Sequence, residues 1–322
     1  MKQNKQTKAA DLQAYEQVAR MVMFSVPENI ISGQPGEKEI KIARKNHLGL
    51  EFISHYPEAA TFQTQEREKY NAFQLALQET SALFEMHGIP HIYIKFRKHY
   101  LYYDSNVDVI VRKDQWAHTI SILKENGYSG HVMFKEPDKI MFSKPGIPVS
   151  IHLHPGVTWN GVPYFSSDNL WRNSDPSSNF TAREMTFEYD FLINIAHNLF
   201  ENYDISLGDT LYFKRMLQLH SYDAERLEHV AAENGWLYGF QQVFGLVTEL
   251  VETWEAAEQS SHIPEKLLIY PYRISKAVLV YAYSQRIAWN IAESRFGPAL
   301  REIYAYPSFY ALKRRHDLPF LR

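Results

Sequence analysis

Cysteine is absent from all 322 residues. That excludes a disulfide framework, a thiolate zinc site and a cysteine nucleophile, and it is compatible with a reducing compartment. Long apolar runs are missing too. The opening stretch MKQNKQTKAADLQAYEQVARMVMFSVPENI starts basic, but Glu16, Gln17 and Arg20 interrupt its apolar part, so neither a signal peptide nor a membrane span is expected. The expectation is a cytoplasmic protein without a membrane partner, in which the sequon at Asn179 is a chance match. A strong charge balance is lacking as well: the net charge of -3 gives no global attraction to a polyanion, so a nucleic-acid partner is not supported. At the level of motifs there is no P-loop, no nucleophile elbow, no HExxH pair, no EF-hand loop and no dinucleotide fingerprint.

What the chain does have is apolar mass. Hydrophobic residues make up 45% and aromatics 14%, enough for a core that needs no metal or disulfide staple. The hydrophobic period changes twice along the sequence. From about Lys8 to Gly88 it is helical, as in REKYNAFQLALQETSALFEMHGI, where Phe73, Leu77, Thr80, Phe84 and His87 recur at three- and four-residue steps until Gly88 and Pro90 stop the helix. From Pro90 to about Trp171 the spacing predicts short strands: HIYIKF, NVDVIV, HVMFKE, KIMFSK and PVSIHLH, with one amphipathic helix in DQWAHTISILKENGY. After Asp175 helices return. Loops are expected at SVPENIISGQPGE, WNGVPYFSSD and RNSDPSSNF, from their Gly, Pro, Ser and Asn content. The order predicts an α+β fold: a small mixed β-sheet core over residues 66–175, an N-terminal helical extension over 1–65 and a C-terminal helical domain over 176–322.

Within this frame one residue stands out. Asp108 lies between valines in YYDSNVDVIVRKD, and an unpaired carboxylate buried in a strand costs more than the neighbouring apolar contacts return. Alternation puts Val107, Val109 and Val111 on one face and Asn106, Asp108 and Ile110 on the other; an early strand start would add Asp104 to the face of Asp108. The same rule sets Val149, Ile151 and Leu153 opposite Ser150, His152 and His154. Two strands with one apolar and one polar face each predict a sheet covered by helices on one side and open to a cleft on the other. Asp108 is then either a site residue or the partner of Lys95, Arg97 or Arg112. His152 and His154 have ligand-like spacing, and with Asp108 make three donors for an open metal site, or they are strand-end groups satisfying polar neighbours. His197 and Asn198 sit on an amphipathic helix where packing is the simpler role, and Asp209 suits a helix N-cap or first turn. The cluster RKHYLYY suits phosphate contact and base stacking, or a solvated hairpin. The basic tail Lys313, Arg314 and Arg315 reads as a surface patch.

The run of a helix, H-G-I-P, a strand with I-K, a strand reading N-V-D-V-I-V, a helix ending N-G-Y and a strand ending in I-H-L-H resembles the uncharacterised nucleotidyltransferase group of the polymerase-β-like superfamily. The resemblance covers roughly Phe73 to Trp254 and includes AHNLFENYDISLGDTLYFKRML. It implies a nucleotidyltransferase-like core that moves a nucleoside monophosphate from a bound nucleotide to an unknown acceptor. In that superfamily, two acidic residues at i and i+2 of one strand and a third on its neighbour hold two divalent cations, Mg²⁺ or Mn²⁺. Those positions fall on Asn106, Asp108 and Ser150, so one of three is acidic, and the family's L-K-G element becomes Ile94, Lys95, Phe96. The implied catalytic set is Asp108 with Asn106 and Asp104; the implied nucleotide-binding set is Lys95, Arg97 and Lys98. His152 and His154 beside Asp108 are the substitute metal ligands, suited to a softer ion such as Mn²⁺ or Zn²⁺. The alternative is a pseudoenzyme that keeps the fold and binds a nucleotide or a protein partner.

Overall fold

The computed structural model describes residues 2–24, 34–133, 136–159, 161–260, 262–268 and 270–304. Most of the loop expected after Phe24 and the basic tail at Lys313, Arg314 and Arg315 lie outside the described residues. The chain begins with helices α1 (Lys2–Met23), α2 (Glu37–Lys45), α3 (Gly49–Ser54) and α4 (Ala60–Met86). Strands β1 (His91–Ile94) and β2 (Asn106–Val111) follow, then α5 (Trp116–Glu125), β3 (Ser129–Met133), β4 (Glu136–Lys144) and β5 (Ile147–His154). Next come a hairpin of β6 (Thr158–Trp159) and β7 (Val162–Pro163), α6 (Ser167–Arg172), and strands β8 (Ser174–Pro176) and β9 (Arg183–Met185). The C-terminal part holds α7 (Phe187–His197), β10 (Asp204–Ile205), α8 (Leu207–Leu219), α9 (Ala224–Glu233), α10 (Leu237–Ser260), β11 (Tyr272–Arg273) and α11 (Lys276–Ala292). Among the described residues no helix is long and apolar enough to cross a membrane.

Local chemistry sets several boundaries. Gly88, at φ +61, ends α4 with Gly88 N–H donating to Glu85 O at 2.9 Å and Ile89 N–H to Phe84 O at 2.8 Å. This is the paired closure that a left-handed glycine permits without a Cβ penalty. α8 starts on a reciprocal cap: Asp209 N–H donates to Ser206 Oγ at 3.0 Å while Ser206 N–H donates to an Asp209 carboxylate oxygen at 2.9 Å. Asp209 is therefore a first-turn acid, one of the two roles its sequence position suggested.

The fold is mixed α+β. One seven-stranded sheet runs in the order β3-β4-β5-β2-β1-β9-β8. Its centre is the parallel pair β2/β5, with β1 antiparallel to β2 and β4 antiparallel to β5. Each strand expected from the period is present in its described part; Phe134 and Lys135 of HVMFKE lie outside the described residues. The sheet is wider than expected, because β8 falls within RNSDPSSNF, expected as a loop, and β9 lies in the short stretch after it. Strands of three residues, Ser-Asp-Pro and Arg-Glu-Met, are too short to show an alternation that a sequence pattern could detect.

Face parity also behaves as read. Val107, Val109 and Val111 pack with Val149, Ile151 and Leu153 against Phe73, Leu77 and Phe84 of α4 and Ile122 and Leu123 of α5. The opposite face is a correction to the one-sided cover expected. Ile92, Ile94 and Ile110 enter a second, larger core shared by α1–α3 and the C-terminal helices, with Phe52, Phe191, Phe213 and Trp254 among its members. Helices from both ends of the chain thus form one layer, and a cleft opens beside the Asn106–Asp108 end of β2.

Candidate functional site

The registers of β2, β5 and β1 assemble the site. Asn106 pairs with Ser150 and Asp108 with His152, while Ile94, at the end of β1, lies opposite Asp108. Asp108 keeps only 8% of its surface exposed. Its Oδ1 accepts from His154 Nε2 at 2.9 Å, with His152 Nδ1 3.6 Å away. Its Oδ2 faces the Lys95 ammonium at 3.0 Å and accepts from Asn106 Nδ2 at 3.1 Å. Burial alone would raise the Asp108 carboxyl, but Lys95 and the two imidazoles hold it well below the usual carboxylate range. Burial pulls the His154 imidazole below its ordinary value despite Asp108. A neutral His154 therefore donates through Nε2 and leaves Nδ1 buried without a partner.

Lys95 completes this cluster from an unusual backbone. It sits at φ +61, a left-handed conformation that a residue with a Cβ adopts at a cost of about 1–2 kcal/mol, and such strain concentrates at functional sites. Burial disfavours its charge, yet Asp108 and Glu201 more than offset this, and its pKa is raised. It is a permanent cation inside the cleft.

The following segment is packed rather than the solvated hairpin weighed for RKHYLYY. Lys98 is buried, donates to Asn194 Oδ1 and lies 4.5 Å from the ring centroid of Tyr212. Burial lowers its pKa, with Asp209 and Asp190 opposing. Leu101 N–H donates to Glu51 at 2.9 Å, and Arg215 donates to His99 O. Tyr102 Oη donates to Asp104 at 2.7 Å, and Asp104 also accepts from Ser105 N–H at 2.7 Å. Asp104 thus lies in a turn before β2 yet still lines the cleft. Arg97 does not: it is 45% exposed and paired with Glu184 at 2.5 Å.

Around this floor lies a cleft of about 940 Å³, large enough for a small-molecule ligand. Its walls come from both helical parts of the chain: Tyr15, Lys41, Lys45 and His47 on one side, His197, Glu201, Asp204 and Arg273 on another. Lys41 and Lys45 are exposed on α2 at i and i+4 and have no ion-pair partner among the described residues. Pattern reading missed them because EKEIKIARK looks like any amphipathic surface helix. It also missed Glu201 and Arg273, which join the cleft only through tertiary packing. His197 closes α7, and Glu201 projects from the π-helical turn that follows, Asn198–Asn202, which no sequence signal announced.

The donor chemistry decides what this floor can hold. Asp108, His152 and His154 offer ligand atoms within 4.8 Å of one another. Both Asp108 oxygens, however, already accept from protein donors, and an ammonium lies 3.0 Å from the oxygen a dication would need. With Asn106 and Ser150 contributing no negative charge, the set does not fit two divalent cations. What the cleft does supply is positive charge, from Lys95, Lys98, Lys41 and Lys45, beside tyrosine and histidine rings. No family model, curated protein or solved structure matches the chain.

Proposed function

We propose that this protein is a divergent nucleotidyltransferase-like protein whose cleft binds a nucleoside triphosphate through its own lysines rather than through divalent metal. The observation that carries this reading is the Lys95–Asp108 pair at 3.0 Å, beside the Asn106–Ser150 register pair. These are the positions where the resembled superfamily holds its cations, and here a fixed ammonium stands in for them. Lys98 extends the positive floor, and Lys41 and Lys45 add positive charge at the rim, a set of cations suited to a polyanion such as a triphosphate. Tyr15, Tyr100 and Tyr102 line the same space and offer aromatic surface for a base.

The test is titration calorimetry with ATP, GTP, CTP and UTP, each in EDTA and each with Mg²⁺ or Mn²⁺. The expected result is binding of at least one nucleotide in EDTA. No binding under any of these conditions overturns the reading. A second reading is favoured by the convergence of Asp108, His152 and His154 within 4.8 Å: metal-dependent transfer of a nucleoside monophosphate to an unidentified acceptor. It predicts binding only when Mg²⁺ or Mn²⁺ is present, and loss of that binding in His152→Ala.

A further inference from the structure

A second imidazole–carboxylate pair faces the Lys95–Asp108 cluster. His197 Nδ1 and Glu201 Oε2 lie 2.6 Å apart, and both residues line the cleft. Both atoms are sequestered from solvent and neither is in hydrogen-bonding geometry with a partner, so the contact between them is a close ion pair rather than an aligned hydrogen bond. His197 Nε2 has no bonding partner among the described residues and is left open to the cleft. The pair is anchored on both sides. The ring of Trp159 lies 5.9 Å from that of His197, and Tyr203, at φ +61, turns the chain immediately after the π-helical turn. Glu201 interacts electrostatically with Lys95 and Lys139, so the pair and the cationic floor share one field. Burial would push the Glu201 carboxyl up, but His197 and these lysines hold it well below the usual carboxylate range, so it stays charged.

A carboxylate held this close to one imidazole nitrogen favours a proton on the ring and stabilises the imidazolium once a proton arrives at the other nitrogen. We propose that His197, positioned by Glu201, is the metal-independent proton acceptor of this cleft, and that it activates water against the phosphoanhydride of the bound triphosphate. The inference rests on the triphosphate reading above. In the step, the water O–H bond breaks and its proton moves to His197 Nε2 as the water oxygen bonds to a phosphorus. The anhydride P–O bond breaks, and the leaving group departs with that electron pair, nucleoside diphosphate after attack at the γ-phosphorus or pyrophosphate after attack at the α-phosphorus, its charge met by Lys95 and Lys98. No electron changes oxidation level and no metal enters. Glu201 is a positioning residue, since it acts through His197.

The experiment follows nucleotide consumption and phosphate or pyrophosphate release in EDTA, for whichever of the four nucleotides binds. Turnover is expected in the wild-type chain. His197→Gln should lower kcat by at least about 100-fold with calorimetric affinity unchanged. Glu201→Gln should lower kcat about tenfold at unchanged KM, and added imidazole should restore turnover to His197→Gly but not to Lys95→Met. Binding without turnover in the wild type, or equal kcat in wild type and His197→Gln, overturns the proton-acceptor role and leaves the binding reading standing. Absence of nucleotide binding overturns the binding reading and the hydrolytic step together. The pair itself has an independent readout: diethyl pyrocarbonate should acylate His197 several-fold faster than it does in Glu201→Gln, located by peptide mass. Equal rates overturn the positioning even where nucleotide binds.

Discussion

The cleft contains two histidine–carboxylate assemblies with opposite character. Around Asp108 every oxygen is occupied: His154, Lys95 and Asn106 bond it, His152 stands close, and 8% of its surface remains exposed. Around Glu201 there is a single imidazole and a side chain one-third exposed. The first is a closed electrostatic knot whose members satisfy one another; the second leaves a nitrogen for chemistry. The difference teaches that a carboxylate set conspicuously in a strand need not be the reacting group. Asp108 holds Lys95 charged and in place, and the group free to move a proton is His197 at the end of α7, which the sequence marks only as a histidine on an amphipathic helix.

The largest expected effect comes from breaking the closed knot. Asp108→Ala leaves the Lys95 ammonium buried without its counter-charge, and removing one partner of a buried pair costs about 3–5 kcal/mol. Glu201→Ala, at a partly solvated pair, should cost about 1 kcal/mol or less. Urea denaturation of the two variants checks both. A double variant, Lys95→Met with Asp108→Leu, should recover most of the stability lost by Asp108→Ala, because no lone charge remains. Equal costs at Asp108 and Glu201 would erase the contrast between the two assemblies.

Acid should separate them next. A carboxyl whose folded pKa lies below its unfolded value binds fewer protons folded than unfolded. It contributes stability that is complete above the unfolded value, near 3.9 for Asp, and is lost as pH falls through the lower folded value. Asp108 has that depressed folded value. Urea midpoints for the wild-type chain should therefore fall steeply below about pH 4, while Asp108→Asn, having lost the titrating group, should start lower and lack that part of the slope. Parallel curves would show that Asp108 is not the group holding the acid limb.

How much of this was legible follows the range of the interactions. Local and alternating features read through: the two-faced strands, the neighbouring of Asp108 and His152, the glycine stop after α4 and the first-turn role of Asp209 all depend on residues a few positions apart. The three metal-site candidates Asp108, His152 and His154 converge as the alternation required. Arg97 did not follow its neighbours, because the left-handed turn at Lys95 redirects the chain and Glu184, from a strand too short to predict, takes it up. The cleft walls were invisible for the same reason: α2 and the π-helical turn meet the strands only after two helical segments far apart in sequence share one core.

A smaller effect comes from adding charge to the closed knot. Asn106→Asp with Ser150→Asp would restore carboxylates at the two register-paired positions. Three carboxylates and one ammonium should cost about 1–2 kcal/mol of stability without metal, and Mn²⁺ should return it by binding the folded state. Thermal melts with and without Mn²⁺ read this directly: a shift in the double variant and none in the wild type is expected. A shift of the same size in the wild type would mean that Lys95 does not block a cation there.

The smallest effect tests whether the open side of the cleft extends to α2. Lys41 and Lys45 are exposed and touch no carboxylate among the described residues, so replacing both by alanine should leave the urea midpoint unchanged within about 0.5 kcal/mol. Surface lysines near a phosphate contribute through a screened field, each worth about 0.5–1 kcal/mol. The double variant should therefore bind triphosphate about tenfold more weakly, and by less as salt rises, because the Debye length shrinks from about 10 Å at 0.1 M to about 3 Å at 1 M. Nucleoside monophosphates, with two fewer phosphates to extend from Lys95, should lose less. If triphosphate and monophosphate weaken equally, the anion does not run from Lys95 toward α2, and the rim lysines act only through the overall charge of the protein.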